Sequence, residues 1–220
     1  MPRRRLNRKE KQAHTRDCLM ASAGKVFAKR GLQQASIDEV AEDAGYTKGA
    51  FYANFKNKEE LFLAMLDDRF NERIEQIERS LELEGDMRAR TEAAGADFAH
   101  YVSADPEWQR IFFEFTTHAA RDEDFRQELL TRYRSMRDRL ADALRRSAPQ
   151  LQDHSPIPLE EVALMICMMG NAFALEKLIE GDELADEVYV KMLTIFFTGL
   201  KTLGPADRAP ALAGAAGEAR

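Results

Sequence analysis

The chain has 220 residues, 45% of them hydrophobic and 32% charged, with a formal net charge of −6. This suits one larger domain or a two-part protein with a real core, and no apolar run approaches the ~18 to 20 residues that span a bilayer. The charge is uneven: residues 1–55 carry 11 Lys+Arg and 6 Asp+Glu, while the remainder carries 21 and 32, so a basic head precedes an acidic body.

The first eleven residues, MPRRRLNRKEK, are basic and lack a following apolar stretch, so they are no secretory signal. They form either an arm tracking a groove or phosphate strip, or a solvated tail. The first helix is predicted over 9–30, with Leu19, Ala23, Val26 and Phe27 inward and Gly31 closing it. The next stretch, SIDEVAEDAGYTKGAFYANFKNKEE (36–60), carries the most information. Ser36 and Glu39 form a capping box that opens a second helix. Ile37, Val40, Ala41 and Ala44 give it one apolar face, and Gly45 suits its end. Thr47 caps a third helix predicted to reach about Phe55, and Asn57 with Glu60 marks the start of a fourth. Two helices joined by a short turn containing Gly are the helix-turn-helix pattern, whose second helix enters the major groove of DNA.

At about 100° per residue, Phe51 and Phe55 share the buried side of that second helix, and Ala53 points nearly opposite. With Gly49 and Ala50 beside it, the outward face is almost bare, so backbone and an alanine methyl can approach base edges. Lys48, Tyr52 and Asn54 sit on the shoulders as donors for phosphate oxygens, and Lys58 adds a cation in the first turn of the following helix. The expected DNA-facing set is Ser36, Thr47, Lys48, Gly49, Ala50, Tyr52, Ala53, Asn54 and Lys58.

The segment from about 26 to 66, with VFAKRG, then S-I-x-x-V-A-x-x-A-G, then T-K-G-A-F-Y-x-x-F-x-x-K-E-x-L, resembles the N-terminal DNA-binding domain of the TetR (tetracycline repressor-like) family. The resemblance implies an all-helical homodimer, usually a repressor, whose C-terminal domain senses a small ligand. It implies DNA contacts at Thr47, Lys48, Gly49, Tyr52 and Lys58. Ala53 and Asn54 depart from it, because the family often has Tyr and His there.

Beyond the head the pattern is helix after helix, without strand alternation. A helix over 58–83 of roughly 39 Å would link head to body. Further helices are expected over 87–103, from the Asp105-Pro106 start, and over 123–147, where six arginines from Arg132 to Arg146 form a solvated outer face. Pro149, Pro156 and Pro158 mark a loop. The run VALMICMMGNAFAL (162–175) is apolar all round and must be covered on all sides. With a last helix over 182–203, it is expected to build a four-helix dimer interface through Val162, Ile166, Gly170, Phe173, Val188, Met192, Ile195 and Phe196; the alternative is a purely intramolecular core.

The predicted fold is therefore all-α, about nine helices. The expected division is a three-helix helix-turn-helix domain (1–56, basic arm 1–11), a helical ligand-sensing and dimerising bundle (57–203) and a disordered tail (204–220). A pocket for an apolar or amphipathic effector is expected among Phe98, Tyr101, Trp108, Phe112, Met136, Met169, Asn171 and Phe173. Further polar candidates are His100, Glu114 and His118. The partners are then double-stranded operator DNA, a second copy of the chain and a small molecule, with no membrane. No cofactor or metal is expected, since the four histidines show no ligand spacing with each other or with Cys18 and Cys167. Those cysteines read as reduced residues of a cytoplasmic protein. No P-loop, H-E-x-x-H or G-x-S-x-G is present, so an enzyme is not expected. The rival reading is a helical small-molecule carrier without DNA regulation.

Overall fold

The computed structural model describes residues 7–203, and every regular element among them is helical. The N-terminal residues 1–6 of the basic arm and the tail 204–220 lie outside the described residues. The helices are α1 (Arg8–Gln34), α2 (Ile37–Asp43), α3 (Lys48–Tyr52), α4 (Lys58–Glu82), α5 (Met87–Ala104) and α6 (Pro106–Ala119). They continue with α7 (Glu123–Ser147), α8 (Pro149–His154), α9 (Leu159–Glu180), a 3-10 turn (Gly181–Glu183) and α10 (Glu187–Thr202). The chain divides into two compact units. The described residues up to Arg73, together with Ala104–Arg134, form the first; Ile74–Ser103 and the described residues from Ser135 onward form the second.

Local signals start most helices of the first unit. Asn7 and Glu10 form a capping box that begins α1 slightly earlier than expected. Ser36 and Glu39 form the predicted box for α2, and Thr47 Oγ1 accepts the Ala50 amide to open α3. Asn57 Oδ1 accepts the Glu60 amide at 2.8 Å at the head of α4, and Asp105 accepts from Trp108 at 3.0 Å at the head of α6. Each cap satisfies an amide that the helix start would otherwise leave bare. Gly31 breaks α1, as its position predicts, at φ +72, ψ 168, after which one further turn forms. The core is aromatic: Phe62 stacks on Phe115 with centroids 4.0 Å apart and planes 5° from parallel, while Phe27 meets Phe115 edge-on. Phe51 and Phe55, expected inward, are 0% and 1% exposed.

The α7 arginines are not a purely solvated face in either unit. Arg146 pairs with Glu78 of α4 at 2.7 Å and Arg145 with Glu160 of α9 at 2.6 Å. Arg132 does the same in the first unit, donating to Asp67 at 3.2 Å. Long guanidinium arms reach carboxylates on neighbouring helices that helical periodicity does not reveal. The loop expected around Pro149 contains α8, because proline in a first helical turn loses no bond. Asp186 ties the end of α5 to the α9–α10 connection: it accepts from Ser103 at 2.8 Å and pairs with Lys177 at 2.9 Å. Partial burial pushes its carboxyl up, but the Lys177 and Ser103 hydrogen bonds outweigh that and hold it below the usual range.

α9 extends beyond the apolar run at both ends. Leu159–Glu183 is long and apolar enough to cross a membrane by length and composition, and 28% of its apolar window is buried within the chain. Its inward face carries Val162, Gly170 and Phe173, all buried. Gly170 permits a close approach there: a Cβ would stand 3.0 Å from Phe98 Cζ, and that ring would have to shift. Its outward face carries Leu164, Met165, Met168, Leu175 and Ile179, from 37% to 71% exposed.

Candidate nucleic-acid interface

The α2–turn–α3 segment presents the expected set of residues, with partners that sequence alone did not indicate. α3 is five residues long and ends at Tyr52, not at Phe55. The reason lies in Asn54, whose side-chain amide donates back to the Ala50 carbonyl at 2.8 Å while the buried Phe55 draws the chain inward. Ser36, Thr47, Lys48, Gly49, Tyr52 and Ala53 are exposed, and Ala50 and Asn54 half-buried. Tyr52, 52% exposed, meets the edge of buried Phe51 at 5.6 Å. The outward face of α3 is thus narrow and nearly free of bulk.

The two shoulder cations are engaged within the chain. Lys48 Nζ donates to Asp38 Oδ2 of α2 at 2.8 Å. That hydrogen bond, then the charge of Asp38, pushes its ammonium pKa up and keeps it cationic. An exposed pair of this kind is weak, so the ammonium can exchange its carboxylate for a phosphate. Lys58 Nζ is half-buried and donates to the carbonyls of Leu32 at 2.6 Å and Ala35 at 2.9 Å. With three donors it retains one for an outside acceptor. Glu39, which completes the Ser36 cap, has its carboxyl held below the usual range, first by the Ser36 backbone amide.

Two contacts, one at the end of α3 and one in the last turn of α1, were missed in the sequence. Arg16 of α1 places its guanidinium 4.3 Å from the centre of the Phe55 ring and donates to the Asn54 carbonyl at 3.2 Å. Glu114 of α6, named as a polar candidate for a ligand, accepts the Leu32 amide at 2.8 Å instead. No periodicity signals either contact, since each joins residues far apart in sequence.

The expected pocket residues are distributed over both units. In the first, Trp108 stacks on Phe62 and lies under Arg69, and Phe112 packs near Tyr133. His118 stands 3.5 Å from Glu59. In the second, Phe98 lies beside Tyr101 and Tyr189, and Phe173 also meets Tyr189. Met136 Sδ lies 3.9 Å from Cys167 Sγ; Met169 and Asn171 are half-buried and His100 is exposed. Gln109, not singled out in the sequence, is 4% exposed, and its amide nitrogen meets no acceptor among the described residues.

The expected interface residues divide by face. Val162, Gly170 and Phe173, expected at the dimer interface, are buried within their own chain, Gly170 against Phe98 and Phe173 against Tyr189. Val188 is 36% and Ile195 73% exposed, while Ile166, Met192 and Phe196 are half-buried.

The geometry defines an all-helical helix-turn-helix protein with a helical C-terminal region. The family model described as bacterial regulatory proteins, tetR family, matches residues 19–65. The model described as BetI-type transcriptional repressor, C-terminal, matches residues 86–200, more than half of the chain. The chain belongs to the TetR family; it is a DNA-binding transcriptional regulator, not an enzyme. It is 33% identical over 96 residues to the HTH-type transcriptional activator FasR of Mycolicibacterium smegmatis, a match spanning 44% of each chain and so less than half of that relative's length. It is 23% identical over 176 residues to the uncharacterized HTH-type regulator YfiR of Bacillus subtilis, covering 76% of this chain and 82% of that one. Among solved structures, FadR from Bacillus subtilis in complex with stearoyl-CoA shares the fold at a TM-score of 0.63 and 16% identity, covering 85% of this chain and 96% of that one.

Proposed function

We propose that two copies of the chain bind a palindromic operator as a repressor and that a small apolar or amphipathic effector releases them. The observation that carries the DNA-facing part is the split character of α3: Phe51 is fully buried while Thr47, Gly49 and Ala53 are exposed between Lys48 and Tyr52. A helix with a bare outer face and donors on its shoulders fits a groove bounded by phosphates. Ser36, Ala50 and Asn54 complete the contact set, and Lys58 offers its remaining donor.

Pairing is supported by the apolar surface left on α9 and α10. Met168 is 61%, Ile179 71% and Ile195 73% exposed, large apolar side chains on the two last helices that a partner surface would cover. A two-fold pair would present two α3 helices to two half-sites, as palindromes require. The effector would sit among Phe98, Tyr101, Met136, Met169, Asn171 and Phe173 of the second unit. The acyl-CoA seen with the Bacillus subtilis FadR supports a long apolar ligand class, and the BetI-type match supports the repressing sign. A protein acting on chromosomal DNA works in the cytoplasm.

Selection of bound duplexes from a random pool tests this reading. The expected result is a palindrome whose affinity falls linearly in log salt, with Lys48→Ala flattening the slope by about one. Sequence-indifferent binding at every salt concentration would refute it. Release by long-chain acyl thioesters, read as lost retention of the selected duplex, tests the effector class.

A further inference from the structure

We infer that Arg16, on α1 and outside the helix-turn-helix, is a positioning residue for sequence reading: it fixes the C-terminal end of α3 without touching DNA. This rests on the reading of α3 as the base-contacting helix. α3 has five residues, far fewer than the ~12 to 15 that hold a helix by themselves in water, so its position is set from outside. Its N-terminal end is set by Thr47. Its C-terminal end has no cation in the last turn to offset the partial negative charge of the terminal carbonyls.

Arg16 supplies that cation from another helix. Its Nη1 donates to the Asn54 carbonyl at 3.2 Å, and its Cζ lies 4.3 Å from the centre of Phe55, the ring that anchors the exit of α3 in the core. The neighbouring Ala50 carbonyl is taken by the Asn54 side chain, so the two bonds together close the end of the helix. Burial, then the charge of Asp17, pushes the Asp68 carboxyl of α4 up, and the Arg16 charge offsets only part of that rise. Arg16 thereby joins α1 to the end of α3. A planar guanidinium suits this, because it can lie over a ring face while donating in its own plane; a compact ammonium does both less readily.

The chemistry separates Arg16 from Lys48. A residue that contacts phosphate contributes to the salt slope on any duplex, whereas one that only aims α3 affects discrimination between sequences. The test measures full-length wild type, Arg16→Ala and Arg16→Lys on a pool-selected duplex and on a scrambled duplex of equal length, across salt. Helical content and melting are followed alongside. The expected result is a loss of about tenfold on the selected duplex for both variants, little change on the scrambled one, and an unaltered slope. Full recovery by Arg16→Lys, or a slope shallower by about one, would overturn the inference in favour of a phosphate contact. Equal losses on both duplexes with a lowered melting temperature would overturn it in favour of a general folding role. Failure of the wild type to prefer any duplex would defeat the operator reading itself, and with it the inference, before any substitution is made.

Discussion

α3 and α9 both turn part of their surface outward, and they do so in opposite ways. α3 is five residues long, shows Thr47, Gly49 and Ala53 to solvent, and buries one ring, Phe51. α9 has 22 residues, buries Val162, Gly170 and Phe173, and leaves Met165, Met168 and Ile179 exposed. The short helix owes its stability to caps and to side chains from elsewhere; the long one has hydrogen bonds to spare and an excess of apolar area. A wet, narrow face suits a hydrated groove, and an oily face suits another oily face. The contrast shows that exposure alone does not define a site: the chemistry of the exposed atoms decides what they meet.

The sharpest way to break that contrast is to remove the one ring α3 buries. Phe51→Ala is expected to cost about 3–5 kcal/mol, read as a lower urea midpoint, because the site is fully enclosed between Tyr52 and Phe55. If the proposed pair forms through this face, Ile195→Glu is expected to leave the subunit folded and lower the self-association constant by at least about 100-fold, since a two-fold contact repeats the charge in both copies. Sedimentation at graded concentrations checks it, and an unchanged mass would move the interface elsewhere.

A third substitution, Ser36→Ala, is expected to cost about 1 kcal/mol, because the Glu39 amide loses its acceptor while the buried apolar face of α2 stays intact. Chemical denaturation measures it. The narrowest effect, confined to alkaline pH, concerns Cys167 of α9, whose thiol burial pushes up to about 11 from an ordinary 9.0. The folded state holds this proton more tightly than the unfolded one, so its contribution is full below pH 9 and is lost as pH rises through about 11. Wild type should therefore lose more stability than Cys167→Ala across that window. Iodoacetamide at neutral pH should leave Cys167 unmodified in the folded protein, as mass spectrometry of the digested chain would show.

How much of this was legible in sequence follows from distance along the chain. The Ser36–Glu39 box and the Thr47 cap involve neighbours three residues apart, and the structure places them as expected. Asp105 with Pro106 marked the start of α6 for the same reason. Arg16 to Asn54 spans 38 residues and Leu32 to Glu114 spans 82, and no local pattern points to either. In α9 the failure has another cause: with apolar residues on all sides, periodicity could not tell Val162 and Gly170, which face Phe98 and the core, from Met168 and Ile179, which do not. The arginines of α7 looked like surface charge because their partners Asp67, Glu78 and Glu160 lie on other helices.

The grip on Leu32 has a mechanical consequence. Its amide is held by the Glu114 carboxylate and its carbonyl by the Lys58 ammonium, at a point where Gly31 has interrupted the helix. A peptide pinned between opposite charges on two helices works as a fulcrum, and Ser36, which begins α2, stands four residues along the lever. Sliding of α6 along α4 would thus be felt as a tilt of the segment that launches the helix-turn-helix, without any rearrangement of the aromatic core behind it.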